Sequence, residues 1–378
     1  MKYKGKILYL VAEDWYFCSH RLPLACAARD EGYEVVVATR VTAHGDQITR
    51  NGLKLIPINM CRRSLNPLSE LPSLFHLIKI YRQERPDLVH HVALKPVIYG
   101  SLTAVITRIP VKINALGGLG YVYSSASKKA WLLRAMLRIV LRGLLNRSNS
   151  QVILQNNDDL EILVKAGILK PDRATLIRGA GVDLQEFTVS AESDEIPIVM
   201  LASRMLWSKG VGEFVEAASL LRKAGIVARF VLVGEADSVN PASISHEQLL
   251  KWSEDGVVEW WGKRDDMADV LRQAHVVCLP SYREGLPKVL LEAAASGRAI
   301  VTSDAPGCRE IVKDRVNGLL VPIKQSAALA EALKCLISDP ILRQQMGERG
   351  RKIVKAEFSS EQVINETRML YSKMLNAL

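Results

Sequence analysis

Short, uninterrupted apolar runs recur from one end of the chain to the other, and between them apolar residues return every three or four positions. Fully apolar strands alternating with helices imply parallel sheets covered by helices on both faces. In the first half the runs fall at 7–12, 34–39, 53–58, 88–91, 111–115, 151–154 and 175–177. In the second they fall at 198–202, 228–233, 257–261, 276–279, 299–302 and 319–321. Segments 22–29, 213–223 and 329–337 carry the helical spacing. The expected class is α/β, built twice, and 378 residues give room for two such domains. The seam is expected at 178–196, a Gly-, Ser- and acid-rich stretch in which Gly179 and Gly181 permit hinge dihedrals. Beyond 338 the pattern is purely helical, with starts expected at Asp339-Pro340 and at Ser359-Ser360-Glu361. The resulting division is 1–185, 196–358 and a final helix over 359–378 that packs back toward the first domain. Ligands of such sheets sit at the carboxyl ends of the strands, so a cleft between the two domains is the expected site.

Charge narrows the partners. The net charge is +10, and residues 1–189 hold 26 basic against 15 acidic side chains, a net of +11, while 190–378 hold 24 against 25, a net of −1. An anionic partner is expected for the first half, either nucleic acid or a membrane surface. Hydrophobic residues at 48% and charged residues at 24% exclude a disordered or fibrous chain. Six cysteines without a C-x-x-C pair suit a reducing compartment. The apolar run at 7–12 is short for a signal peptide and reads as a first buried strand. No stretch reaches a membrane span; even the uncharged run 113–127 is rich in Gly and Ser. A cytoplasmic protein with peripheral membrane contact is expected.

The most informative segment follows the strand at 276–279. A loop carries Glu284, Gly285 and Leu286, and Pro287 suits the first turn of a helix that runs to Ser296 and stops at Gly297. Free N–H groups at such a helix start attract an anion, and Lys288 in the first turn needs one nearby, from Glu284 or a bound phosphate. Glu292 lies roughly 7.5 Å further along the axis. Two carboxylates so spaced can hold hydroxyls at two points of one ligand; the alternative is an ordinary helix with a surface Glu.

The motif EGLPKVLLEAAASGRAIV, with Glu284 and Glu292 in an E-x7-E spacing, resembles family 4 glycosyltransferases of the two-Rossmann GT-B fold. Arg204, Lys209 and Gly210 resemble that family's R-x4-K-G. Gly307, Glu310, Asp314, Asn317 and Gly318 resemble its G-x-x-E-I-V-x-D-x-x-N-G-L, and Gly181, Val182, Asp183 and Phe187 its G-V-D-x-x-x-F. The resemblance implies a nucleotide diphosphate sugar as donor, held by 196–358. Arg204 and Lys209 would grip the diphosphate, Glu284 would contact the donor sugar, and Glu292 would hold ribose hydroxyls. Gly285, Leu286, Pro287, Lys288 and Val289 would line the same site. Arg204, Lys209 and Glu284 would be catalytic, with retention of anomeric configuration, because cations over a leaving diphosphate stabilise charge where it develops. Neither a metal nor another cofactor is expected: there is no D-x-D, and His90-His91 lacks further ligands.

From 88 to 157 there is no Asp or Glu but nine Lys or Arg. Within that stretch KKAWLLRAMLRIVLRGLLNR places Lys128, Lys129, Trp131, Arg134, Arg138 and Arg142 on a basic, apolar helix suited to an anionic membrane interface; a core helix with a solvated Arg edge is the alternative. Nucleic acid is disfavoured because large aliphatics, not aromatics, alternate with the cations. Arg62-Arg63-Ser64-Leu65-Asn66-Pro67, Lys95, the Gly118-Leu119-Gly120 turn and the Arg204–Gly210 stretch further resemble bacterial transferases that extend undecaprenyl-diphosphate-linked sugars. That resemblance implies a UDP-linked N-acetylhexosamine donor and a lipid-linked saccharide acceptor. Candidates for the acceptor are His20, Arg21, Arg62, Arg63, Lys95, Gly118 and Gly120. The family's His after the fifth strand is replaced here by Asn114-Ala115-Leu116-Gly117, which leaves the proton acceptor unassigned. The expected protein is a retaining glycosyltransferase peripheral to the inner face of the cell membrane. Two alternatives stay open: a nucleotide-sugar 2-epimerase of the same fold, and a non-enzymatic membrane- or nucleic-acid-binding protein. A Rossmann oxidoreductase is disfavoured, since Glu13-Asp14-Trp15 follows the first strand without G-x-G-x-x-G.

Overall fold

The structure is a computed structural model that describes residues 3–60, 71–118, 128–237 and 240–377, with the side chains of 128–136 outside the description. The chain divides into two compact units, Met1–Ala180 with Val363–Leu378, and Gly181–Gln362.

In the first unit β1 (Gly5–Glu13), β2 (Tyr33–Arg40), β3 (Lys54–Pro57), β4 (Leu88–Val92), β5 (Val111–Leu116), β6 (Ser150–Leu154) and β7 (Ala174–Leu176) form one sheet in the order β3-β2-β1-β4-β5-β6-β7. In the second, β8 (Ile198–Ala202), β9 (Arg229–Val233), β10 (Glu259–Trp260), β11 (Val276–Leu279), β12 (Ala299–Ser303) and β13 (Gly318–Val321) run β10-β9-β8-β11-β12-β13. Every named strand pair is parallel. The sheets are doubly wound, and the strand order reverses between β1 and β4 and again between β8 and β11. Ligands of this architecture gather outside the strand ends at such reversals. Burial explains the absence of period-two patterning: β4, β5, β6, β8, β11 and β12 are buried at every position.

The expected elements are present with shifted ends. The run 257–261 contributes only the two-residue β10, because Val258 is drawn into the core beside Trp252 before pairing begins. The helix expected from Pro287 runs Lys288–Ala295 with Pro287 as its cap. Asp339 caps Pro340–Glu357 by accepting from the Leu342 N–H at 2.9 Å.

Residues 181–185, read from sequence as the end of the first domain, belong with the second unit. The cause is local. Gly181 and Val182 lie against Ser359 and Ser360, and Arg351 donates to the carbonyls of Leu184 at 3.0 Å and Phe187 at 2.5 Å. Arg343, buried, makes a two-oxygen pair with Glu192 at 2.7 and 2.9 Å. The seam is thus stitched down by arginines rather than left as a free linker. Gly179 and Gly181 have φ of 69° and 70°.

The final helix, Ser360–Leu375, places Val363, Leu370 and Tyr371 in the same apolar cluster as Ile7, Tyr9 and Val11 of β1. Under it the Tyr371 hydroxyl meets the Tyr9 hydroxyl at 3.0 Å and also the Nδ1 of His90. His91 of the same strand lies between Tyr81 Oη at 3.0 Å and Asn114 Oδ1 at 2.7 Å. Where a dinucleotide fold would carry its glycine loop, buried Asp14 instead accepts from the N–H groups of Thr42 and His44 at 2.6 and 2.9 Å, tying the ends of β1 and β2 together.

Burial holds both histidines neutral: His90 is well below the ordinary imidazole value, and His91 is lowered to about 4. Only the unfolded chain then takes up these protons as pH falls through the ordinary imidazole range. Two such groups give a stability loss of about 2.4 kcal/mol between pH 6 and 5. Denaturant unfolding at a series of pH values checks this; a flat profile over that interval contradicts neutral burial of the pair.

Candidate active site

The carboxyl ends of β8, β9, β11 and β12 bring the second unit's motif residues together. After β8, a short turn at Trp207–Lys209 ends on Gly210, whose φ is 74°. A Cβ there would lie 2.2 Å from the Pro280 carbonyl oxygen, so this position admits only glycine. The Tyr282 N–H donates to the Ser208 carbonyl at 3.0 Å, and the Ser281 hydroxyl donates to the same oxygen at 3.2 Å. The Arg204–Gly210 loop is therefore docked on the 280–282 loop by backbone contacts. On the other side the Glu284 N–H donates to the Pro306 carbonyl at 3.0 Å. Gly307, at φ 79°, crowds the Glu284 and Gly285 carbonyls; a Cβ would stand 2.7 and 2.6 Å from their oxygens.

This framework sets three cation–carboxylate pairs. Lys209 Nζ donates to Glu284 Oε1, with both side chains mostly buried. Lys288 Nζ stands 3.2 Å from Glu292 Oε1, one helical turn on. Arg204 Nη1 donates to Asp237 Oδ2 at 3.1 Å. The helix that begins at Lys288 has no side-chain cap, so its first N–H groups keep the capacity to bind an anion. Pro287 sets the start, while Leu286 and Val289 pack on the apolar cluster under the sheet. Burial pushes the Glu292 carboxyl up, against the pull of Lys288. Three cations that suit phosphate and three carboxylates that suit hydroxyls thus lie at adjacent strand ends of one sheet.

The later motif residues serve the frame. Asn317 accepts from the Lys313 N–H at 2.7 Å and donates to the Ile311 carbonyl at 3.0 Å, and Asp314 accepts from the Leu320 N–H at 2.9 Å. A Cβ on Gly318 would meet the Ile300 carbonyl oxygen at 2.4 Å. Asp237 escaped the sequence reading because its partner Arg204 is 33 positions away and no spacing links them. Tyr282, which donates to Glu213 and lies under Lys324 at 5.0 Å, also escaped it.

In the first unit, Lys95 opens the helix Leu94–Ile106 directly after β4, with its ammonium 5.7 Å from the Tyr99 ring centre. Ala93 before it has φ 76° and ψ 161°, a conformation few residues other than glycine adopt. Gly118, with φ 119°, follows β5. His20 stacks on Tyr16 at 4.2 Å. Arg21 departs from the expectation of a loop cation: it is 4% exposed, and its guanidinium donates to the Gly179 carbonyl at 3.3 Å. Arg62, Arg63 and Gly120 lie outside the described residues. Lys128, Lys129, Trp131 and Arg134 fall on the helix Lys128–Leu145, with their side chains outside the description, while Arg138 and Arg142 are exposed. No described helix is long and apolar enough to cross a membrane. Among the described residues no group of three His, Cys, Asp or Glu side chains is placed to hold a metal ion.

Residues 196–339 match the family model described as glycosyl transferases group 1, and residues 6–156 match that described as glycosyl transferase 4-like. The chain is 33% identical over 341 residues, 87% of its length and 88% of the relative's, to the N,N'-diacetylbacillosaminyl-diphospho-undecaprenol alpha-1,3-N-acetylgalactosaminyltransferase of Campylobacter jejuni. It is 23% identical, over 83% of its length and 82% of the relative's, to the Escherichia coli UDP-Gal:alpha-D-GlcNAc-diphosphoundecaprenol alpha-1,3-galactosyltransferase. Among solved structures, Anabaena HepE in complex with UDP-glucose matches with a TM-score of 0.80 at 20% identity, over 98% of this chain and all of that one. Sucrose-phosphate synthase from Thermosynechococcus elongatus matches with 0.80 at 21% identity, over 99% and 100%. Both likenesses show the GT-B fold.

Because burial raises the Glu292 carboxyl, its ionised form costs the fold stability above the ordinary carboxylate value. Glu292→Gln is expected to raise the thermal midpoint at pH 8, and the gain should shrink as pH falls through the ordinary carboxylate value, below which both states are protonated. Scanning calorimetry of both proteins at pH 8 and pH 4.5 checks it; a lower midpoint for the variant at pH 8 contradicts it.

Proposed function

The chain belongs to the group 1 glycosyl transferases, and from that membership we propose that it moves an N-acetylhexosamine from UDP to a polyprenyl-diphosphate-linked saccharide, with retention of configuration. The observation that carries this reading is the Lys209–Glu284 pair set beside the uncapped helix of Lys288 and Glu292. A donor diphosphate attracts Lys209, Arg204 and the helix N-terminus. Glu284 and Glu292, released from their cations, then accept hydrogen bonds from donor-sugar and ribose hydroxyls. As the glycosidic bond breaks, negative charge grows on the diphosphate, where Arg204 and Lys209 stabilise it. The acceptor hydroxyl oxygen bonds the anomeric carbon on the leaving-group face as its bond to the diphosphate breaks, and the departing diphosphate oxygen takes the hydroxyl proton, which needs no pair of carboxylates flanking the bond. No resident metal or cofactor enters this scheme.

The UDP donor is supported by the UDP-glucose complex of HepE, and the lipid-linked acceptor by the names of the Campylobacter and Escherichia relatives. Lys95 and Gly118 follow adjacent strands of the first unit and suit the acceptor diphosphate. Membrane contact is supported by three neighbouring helices of that unit, Leu71–Glu84, Leu94–Ile106 and Lys128–Leu145. They leave Phe75, Leu102, Ile106 and Ile139 exposed, Phe75 at 68% and Ile139 at 76%. Exposed Arg82, Arg108, Arg138 and Arg142 accompany them. The one acid on these helices, Glu84, is bonded to Lys54 and Lys6. Such residues suit an anionic bilayer, at about 1 kcal/mol per cation near the surface, which supports the peripheral location proposed here, at the inner face of the cell membrane.

Incubation with a panel of nucleotide sugars and short undecaprenyl-diphosphate saccharides, with products identified by mass spectrometry, tests the reaction. UDP-N-acetylhexosamine and a lipid-linked acceptor should give product, lost at least a hundredfold in Glu284→Ala. Acceptor-free turnover of the donor would instead mark an epimerase, and transfer only to soluble acceptors would remove the lipid. Flotation with phosphatidylglycerol vesicles tests the surface: binding should fall with salt and in a Phe75→Ser, Ile139→Ser double variant. Equal flotation by both proteins at low salt counts against this face.

A further inference from the structure

The loops after β8 and β9 are closed on each other by a ladder that continues past the paired strands. The N–H groups of Ser203, Met205 and Trp207 donate to the carbonyls of Val233, Glu235 and Ala242, each at 3.0 Å, and the Ile244 N–H returns a bond to the Met205 carbonyl at 2.9 Å. Gly234, at φ 139°, makes this approach possible, since a Cβ would lie 1.9 Å from the Ser203 carbonyl oxygen. Asp237 sits inside the closed loop and is fixed at three points. Its N–H donates to Ser243 Oγ at 2.9 Å, its carbonyl accepts from the Asn240 N–H at 2.7 Å, and its carboxylate accepts from Arg204. The backbone of Asp237 is held, and its carboxylate, 18% exposed, faces a guanidinium that is 43% exposed.

We propose that Asp237 is a positioning residue that presents Arg204 to the donor diphosphate; this rests on the donor reading above. Two opposed effects have to be weighed. The carboxylate lowers the local positive charge, which weakens attraction for an anion. It also fixes a flexible side chain whose value to phosphate lies in its planar fork of donors. With Arg204 this exposed, solvent screens the charge effect to a small size. The pair engages Nη1, and the fork has further N–H groups for phosphate oxygens. Orientation wins, and loss of Asp237 weakens diphosphate binding.

Titration calorimetry with UDP, GDP, dTDP and ADP first identifies the nucleotide that the unaltered protein binds. The same nucleotide is then titrated into Asp237→Ala, Asp237→Asn, Arg204→Ala and the Arg204→Ala, Asp237→Ala double variant. Asp237→Ala should weaken binding about tenfold. Asp237→Asn, which keeps an acceptor for the guanidinium, should recover most of that loss. Without Arg204, removing Asp237 should change nothing further. Thermal midpoints of all variants separate loss of folding from loss of positioning, and Asp237→Asn keeps the test open if the alanine variant unfolds. Unchanged or tighter binding by Asp237→Ala, or an equal loss in the Arg204→Ala background, overturns the role of Asp237 and leaves the donor reading standing. Failure of the unaltered protein to bind any of the four nucleotides overturns both.

Discussion

Backbone against backbone, at separations that exclude a side chain, is the constraint on which the candidate active site depends. Gly210 abuts the Pro280 carbonyl, Gly307 the carbonyls of Glu284 and Gly285, and Gly234 that of Ser203. Three loops thus meet at their backbones. Each is pinned to a neighbour, and Arg204, Lys209 and Glu284 project from pinned segments. A parallel sheet delivers four strand ends to one rim, and the glycines bring the loops on that rim close enough to act together.

The charges on the rim follow from that closeness. Three cations gathered on one rim would repel one another if left alone. Each instead has a carboxylate partner, Asp237 for Arg204, Glu284 for Lys209 and Glu292 for Lys288. On the proposed donor reading, ligand binding becomes an exchange of partners at Lys209 and Lys288, in which phosphate replaces carboxylate and Glu284 and Glu292 turn to hydroxyls, while Asp237 stays on Arg204. Glu292 shows the tension in this arrangement: burial raises its carboxyl even with Lys288 beside it. A carboxylate buried in this way is held at a cost to the fold.

Much of this was legible in the sequence because the physics is local. Continuous apolar runs mark strands buried on both faces, and the E-x7-E spacing marks two carboxylates on one loop and helix. Other features depend on contacts between distant positions. Arg21 looks like a loop cation until the fold buries it under Gly179. The seam at 178–196 looks like a linker until Arg343 and Arg351 anchor it. Asp237 has no motif around it and gains meaning only when β8 and β9 pair and set their loops side by side. Phe75 and Ile139 likewise sit on helices that each pack against Leu94–Ile106, an arrangement no periodicity records.

A crystal structure with UDP-N-acetylhexosamine bound measures the partner exchange directly. The account predicts Lys209 Nζ and Arg204 within hydrogen-bond distance of the diphosphate, Glu284 on a hydroxyl of the donor sugar and Glu292 on the ribose. A nucleotide bound away from the β8 and β11 strand ends, or bound there with the Lys209–Glu284 and Lys288–Glu292 pairs still closed, would contradict it.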